Sequence, residues 1–96
     1  MEKFKGTPGP WVAHDDEESM ATSVIMNDFG DILCVVGTYM TSTEEDFANS
    51  NLIAAAPELL EALQKMVSKA HKQNWNERYE SEMNAARAAI NKALGE

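Results

Sequence analysis

NLIAAAPELLEAL, residues 51–63, sets one proline inside thirteen residues that otherwise favour helix, and its reading decides the fold. Ala, Leu and Glu are all strong helix formers. Ala48, Leu52, Ala55, Leu59, Leu63, Met66 and Ala70 recur at spacings of three and four, so one apolar stripe passes through Pro57 in register. Proline supplies no N–H to the Ile53 carbonyl and its ring presses on that carbonyl, which costs roughly 3 kcal/mol in a straight helix. Two arrangements fit the pattern. Either one helix kinks at Pro57, or helices at about 43–56 and 57–72 meet there, with proline at a first helical position where it is tolerated.

Working backwards, Ser42-Thr43-Glu44-Glu45 supplies an N-cap hydroxyl with a glutamate three residues after Ser42, and Glu44, Glu45 and Asp46 suit the positive end of a helix dipole. Before Gly37 the period changes to two. Val24 and Met26 share one face, while Ile32, Cys34 and Val36 alternate with Leu33 and Val35. Asn27-Asp28-Phe29-Gly30-Asp31 between them carries hairpin turn chemistry. A three-stranded antiparallel sheet is expected, with strands at about 11–15, 22–27 and 32–38. Working forwards, Trp75, Tyr79, Met83, Ala86, Ile90 and Leu94 mark a last helix at about 75–94, packed antiparallel to the helix before it through a short connection. The fold class is α+β in one domain spanning 1–96, with residues 1–10 as an extended or partly ordered arm.

Ninety-six residues support one modest core. Apolar residues are 44% and charged residues 25% of the chain, an ordinary globular balance. The net charge of −8 disfavours direct binding to nucleic acid or to an anionic membrane, which needs clustered Lys and Arg. The charge is uneven: residues 1–40 carry seven acids against two lysines, and residues 41–96 carry nine acids against six bases. No apolar run approaches the ~20 residues of a membrane span. Residues 1–20 contain no apolar signal-peptide core. Cys34 has no partner cysteine and reads as a reduced, buried thiol of a cytoplasmic protein.

The candidate site residues are Trp11, His14, Asp15, Asp16, Tyr39 and Trp75. His14-Asp15-Asp16-Glu17-Glu18 is the densest titratable run, and carboxylates with a histidine are divalent-cation ligands in principle. Consecutive positions cannot all aim at one ion, so a solvated acidic loop accounts for the run and no metal site is assigned. Asp28-Phe29-Gly30 matches a kinase triplet without any other kinase signature. His71, near a helix C-terminus, suits the dipole. Phosphate-loop, nucleophile-elbow and zinc-protease motifs are absent from the sequence, so neither a catalytic residue nor a cofactor is expected. Trp11, held behind Pro8-Gly9-Pro10, reads as a core anchor or a stacking platform, and Tyr39 and Trp75 carry the same alternatives. The strand at 32–38 is apolar on both alternating faces. Either the helices and the N-terminal segment wrap its second face, or that face is a self-association surface.

Thr7-Pro8-Gly9-Pro10-Trp11 together with residues 51–63 resembles a group of small proteins from tailed phages and prophages. The likeness extends to the strand pattern at 30–36 and to residues 45–63, more loosely to 85–94, and covers about half the chain. The acidic run at 15–18 and residues 72–82 depart from it. The resemblance implies a phage accessory protein and carries over no catalytic residue. The expected function is non-enzymatic: stoichiometric binding by a homo-oligomer that antagonises or modulates a host defence protein. Two alternatives are a sponge for a nucleotide immune signal and an acidic DNA-mimic inhibitor.

Overall fold

The computed structural model describes residues 3–15, 22–37 and 41–96, without the side chain of Asn76. It contains β1 (Val12–Asp15), β2 (Ser23–Met26), β3 (Ile32–Val36), α1 (Thr43–Lys72), α2 (Trp75–Arg78) and α3 (Glu80–Leu94). The sheet is antiparallel in the order β1-β2-β3. An α+β protein with a three-stranded meander ahead of its helices is therefore what the chain forms, though every strand is shorter than its pattern suggested. Thr38 to Met40 lie outside the described residues.

The chain divides into two compact units, a sheet unit of Pro8–Glu58 and a helical unit of Met1–Thr7 with Leu59–Glu96. In the sheet unit, Asn27 makes the β2–β3 hairpin. Its Oδ1 accepts from the N–H groups of Phe29 at 3.0 Å and Asp31 at 2.9 Å, and Gly30 takes φ +83°. Register along the ladder is Ser23↔Val36, Val24↔Val35 and Ile25↔Cys34, then slips so that Met26 faces Ile32. Leu33 is the extra residue of this bulge. A one-residue slip moves a side chain to the opposite face, so Ile32 joins Met26, Val24 and Val35 instead of Cys34 and Val36 as strict alternation predicts.

The core face of the sheet is formed by Ser23, Ile25 and Val36, all buried. Cys34 sits at the outer edge of β3 and is exposed, which corrects the expectation of a buried thiol. An edge strand has no neighbour on one side to cover it.

α1 opens as its sequence indicates. Ser42 Oγ accepts the Glu45 N–H at 3.2 Å and donates to Glu45 Oε1 at 3.0 Å. The chain then stays helical through Pro57. Pro57 meets the N-terminal segment of the same unit: a Cβ added to Gly9 would lie 3.0 Å from the Pro57 Cβ, so a side chain there would press on the proline ring.

The burial of α1 departs from the stripe read in the sequence. Leu52, Leu59 and Met66 are exposed, Met66 at 65%. The inward positions are Asp46 and Ser50 in the sheet unit, then Leu60, Leu63, Val67 and Ala70 in the helical unit. Both stripes have helical spacing, and because Leu52, Leu59 and Met66 are as apolar as the inward set, periodicity could not separate them.

In the helical unit, Val67 and Ala70 of α1 pack with Met83 and Ile90 of α3, flanked by Leu60, Leu63, Ala86 and Leu94. Val67, Met83 and Ile90 each contribute roughly 1.5–3 kcal/mol when fully buried. The single helix expected at 75–94 is broken. Tyr79 leaves the helical region at φ −124° and ψ 47°, between α2 and α3. Its ring stands edge-on to Trp75 with centroids 6.1 Å apart, and the Arg78 guanidinium lies 5.7 Å from its centre. α3 ends at Gly95, whose φ of +81° lets the Glu96 N–H reach the Asn91 carbonyl at 2.8 Å. No helix among the described residues is long and apolar enough to cross a membrane.

Candidate functional site

Asp46 organises the sheet unit. Its side chain is 2% exposed, and its carboxylate accepts the Thr22 hydroxyl at 2.7 Å and the Thr41 hydroxyl on its other oxygen. Ser50, also buried, donates to the Asp46 carbonyl at 2.8 Å. Gly37 lies directly against the carboxylate: at φ +87°, a Cβ there would stand 2.4 Å from Asp46 Oδ2. The start of α1 is thereby fastened at one end of the β2–β3 pair, where Thr22 before β2 bonds the carboxylate and Gly37 after β3 leaves room for it. A buried carboxylate held by hydroxyl donors is a structural node. Sequence reasoning took Asp46 as a dipole partner and missed this, since nothing local marks an acid twenty-four residues from its donor.

Charge is divided between the units far more sharply than between the chain halves. Pro8–Glu58 contains ten acids and not one Lys or Arg, giving −10, whereas the other unit holds six acids against all eight bases, giving +2; together they make −8. In the sheet unit Asp15, Asp28, Asp31, Glu44, Glu45 and Glu58 are exposed. In the helical unit a groove of about 290 Å³ is lined by Val67, Ser68, His71, Lys72 and Arg87. Lys69, His71 and Lys72 occupy the last turn of α1, where cations complement the carbonyl end of the dipole. Arg87 comes from α3 and was not singled out by its sequence context.

The sequence-predicted site residues are not gathered at one place. Trp11 is half-buried just before β1. His14 and Asp15 follow one another in β1, opposite Val24 and Ser23, so their side chains leave opposite faces of the sheet. Asp16 and Tyr39 lie outside the described residues. Trp75 belongs to the helical unit and is paired with Tyr79. Among the described residues, no group of three or more His, Cys, Asp or Glu is placed to hold a metal ion.

The second face of the sheet, opposite the core, carries Val12, Met26 and Ile32 in one row and His14, Val24 and Val35 in the next. Ile32 and Val35 are 60% and 61% exposed, and Val12 is exposed as well. Val24, at the middle of that face, is buried at 7%.

A three-stranded meander with a capped long helix and a broken terminal helix defines a small α+β protein. The match of the whole chain, residues 1–96, to the family model described as Salmonella phage P22 protein Y8K6 gives its lineage: the chain belongs to that phage protein family. Neither a curated protein nor a solved structure matches it.

Proposed function

We propose that this phage protein acts without catalysis, as an accessory factor that binds a host protein stoichiometrically, with a defence protein as the class of target. The observation that supports the reading is the sheet unit's charge of −10 with no Lys or Arg to offset it. Such a surface favours a partner with a basic face and speeds encounter with it. Exposed Asp28, Glu44 and Glu58 are the residues assigned to the contact, since each faces solvent in that unit.

The test is capture from host lysate with the wild-type chain and with a D28N/E44Q/E58Q variant. The expected result is a host protein held at equimolar ratio, released as salt rises and lost by the variant. Equal retention by the variant would remove the acidic surface from the account. Competition by duplex DNA extends the experiment: a captured protein displaced by duplex uses its own DNA-binding face, which is the DNA-mimic form of the proposal.

The groove of Ser68, His71, Lys72 and Arg87 favours a second reading, sequestration of an anionic nucleotide signal, because cations on two helices converge there. Thermal shift against cyclic oligonucleotides and adenosine-diphosphoribose derivatives checks it. An unchanged melting temperature at saturating ligand would exclude this second reading.

A further inference from the structure

We infer that the exposed apolar stripe of α1 is the seam of a homodimer, in which two copies of this helix pair antiparallel. Leu52, Leu59 and Met66 stand seven residues apart, and each is more than half exposed. Seven-residue spacing keeps one edge of a helix in line with a partner helix. Three residues after each of them come Ala55, Ala62 and Lys69, so a row of large apolar side chains runs beside a row of alanines closed by a lysine. The inward set of Leu60, Leu63, Val67 and Ala70 is centred about a quarter-turn away around the helix and is already packed.

Size selects the occupant. In a parallel pair the large row would meet its own equivalent and alanine would face alanine, which crowds one layer and leaves a gap in the next. In an antiparallel pair each large side chain meets a small one: Leu59 meets Ala62 of the second copy and Met66 meets its Ala55, each twice by symmetry. Leu52 meets Lys69, whose methylene stem covers it while the ammonium reaches water. The stripe is therefore complementary to itself in reverse.

Charge selects the same register. Ahead of Leu59 the ionisable residues of α1 are Glu44, Glu45, Asp46 and Glu58, with no Lys or Arg, whereas from Leu59 onward Lys65, Lys69 and Lys72 face a single acid, Glu61. Reversal lays the acidic half of one helix against the basic half of the other. With Leu59 set against Ala62, the rim residues Glu58 and Lys65 meet across the seam, again twice; a parallel pair would set Glu58 against Leu63. Lys65 Nζ lies 2.9 Å from Glu61 Oε1, an exposed pair of small worth that gains a second acid in the dimer. The chain's net charge of −8 opposes approach at long range, yet the contact itself joins opposite charges. Leu52 to Lys69 is about 27 Å of paired helix, a small contact, so the dimer is reversible on dilution.

Light scattering on the full chain over a dilution series tests this. Leu59→Glu should weaken the dimer about tenfold or more, because it puts a charge in the central layer. Phe29→Glu adds the same charge at the exposed hairpin tip and should change affinity by less than about twofold. Glu58→Lys and Lys65→Glu should each weaken self-association about fivefold, and mixing the two variants should restore it, since each then offers the charge the other lacks. The rescue is independent of any effect of either substitution on folding. Rising salt should shrink both the loss and the rescue.

A chain that stays monomeric at about 1 mM overturns the inference, that being the weakest affinity at which a specific dimer is measurable. So does a dimer indifferent to Leu59→Glu, and a mixture no more associated than its two components overturns the antiparallel register. Glu58 is also one of the acids assigned to the host contact, and Lys65→Glu leaves all of those acids in place. That variant should lose the dimer and keep host capture. A monomeric wild-type chain that captures a host protein removes only the dimer, and a dimer that captures none removes only the proposed function.

Discussion

In the sheet unit the most deeply buried side chains are Ile25, Asp46, Ser23 and Ser50, three of them polar, whereas the buried set of the helical unit is Val67, Ala70, Met83 and Ile90. One unit closes by hydrogen bonds from Thr22, Thr41 and Ser50 onto a single residue. The other closes by apolar area between two helices. The contrast teaches where each is vulnerable. A polar node is directional, so loss of one acceptor strands its donors, while an apolar cluster degrades by degrees with the volume removed. The same division separates the charge, with every base on the side that packs by apolar contact.

The severest way to break the sheet unit is Gly37→Val. A β-branched residue at φ +87° is strained, and its Cβ would collide with the Asp46 carboxylate, so a loss of about 3 kcal/mol or more is expected. Urea denaturation measures it, and a loss below about 1 kcal/mol would show that the node yields easily. Ile90→Ala is the matching attack on the helical unit, with an expected cost of about 2–4 kcal/mol. Native-state hydrogen exchange should place the loss of protection in α1 beyond residue 58 and in α3. Equal loss in β2 and β3 would abolish the division into two units.

Asp46→Asn sharpens the comparison. The amide keeps one acceptor oxygen, so one of the two threonine hydroxyls must turn from donor to acceptor against the new NH2 group and a charge-assisted bond is replaced by a neutral one, at about 1 kcal/mol by thermal or chemical denaturation. A neutral outcome would mean that the hydroxyl reorients without cost. The smallest effect is expected from Leu59→Gln, an exposed position of the helical unit, which should stay within about 0.5 kcal/mol of wild type. A larger cost there would place Leu59 in contact with something the exposed surface of the isolated chain does not reveal.

Much of the sheet unit's outline was legible because its signals are local. Asn27 and Gly30 announce the hairpin, and Ser42 with Glu45 announces the start of α1, each through bonds no more than four residues long. The bulge was not legible. It depends on how Met26 and Ile32 settle across the ladder, and it alone decides which face Ile32 joins. In the helical unit Met83, Ile90, Ala86 and Leu94 were placed by their period, but the break at Tyr79 was not, since ring contacts with Trp75 and Arg78 leave no periodic trace. The candidate surfaces were read least well. His14 and Asp15 were grouped by adjacency, which on a strand sends side chains apart, and Arg87 was overlooked because its groove partners lie on another helix.

By itself the sequence determined the order and type of the elements, the caps and turn, the lineage and the total charge, because each is carried by neighbouring residues or by composition. Tertiary structure alone decided which of two apolar stripes of α1 turns inward, that Asp46 is buried against Gly37, that Ile32 and Val35 stay exposed while Val24 beside them is buried, and that ten acids and eight bases fall in separate units. These depend on which segments meet across the chain, and a periodic pattern is equally satisfied by a face that packs and by a face that stays exposed.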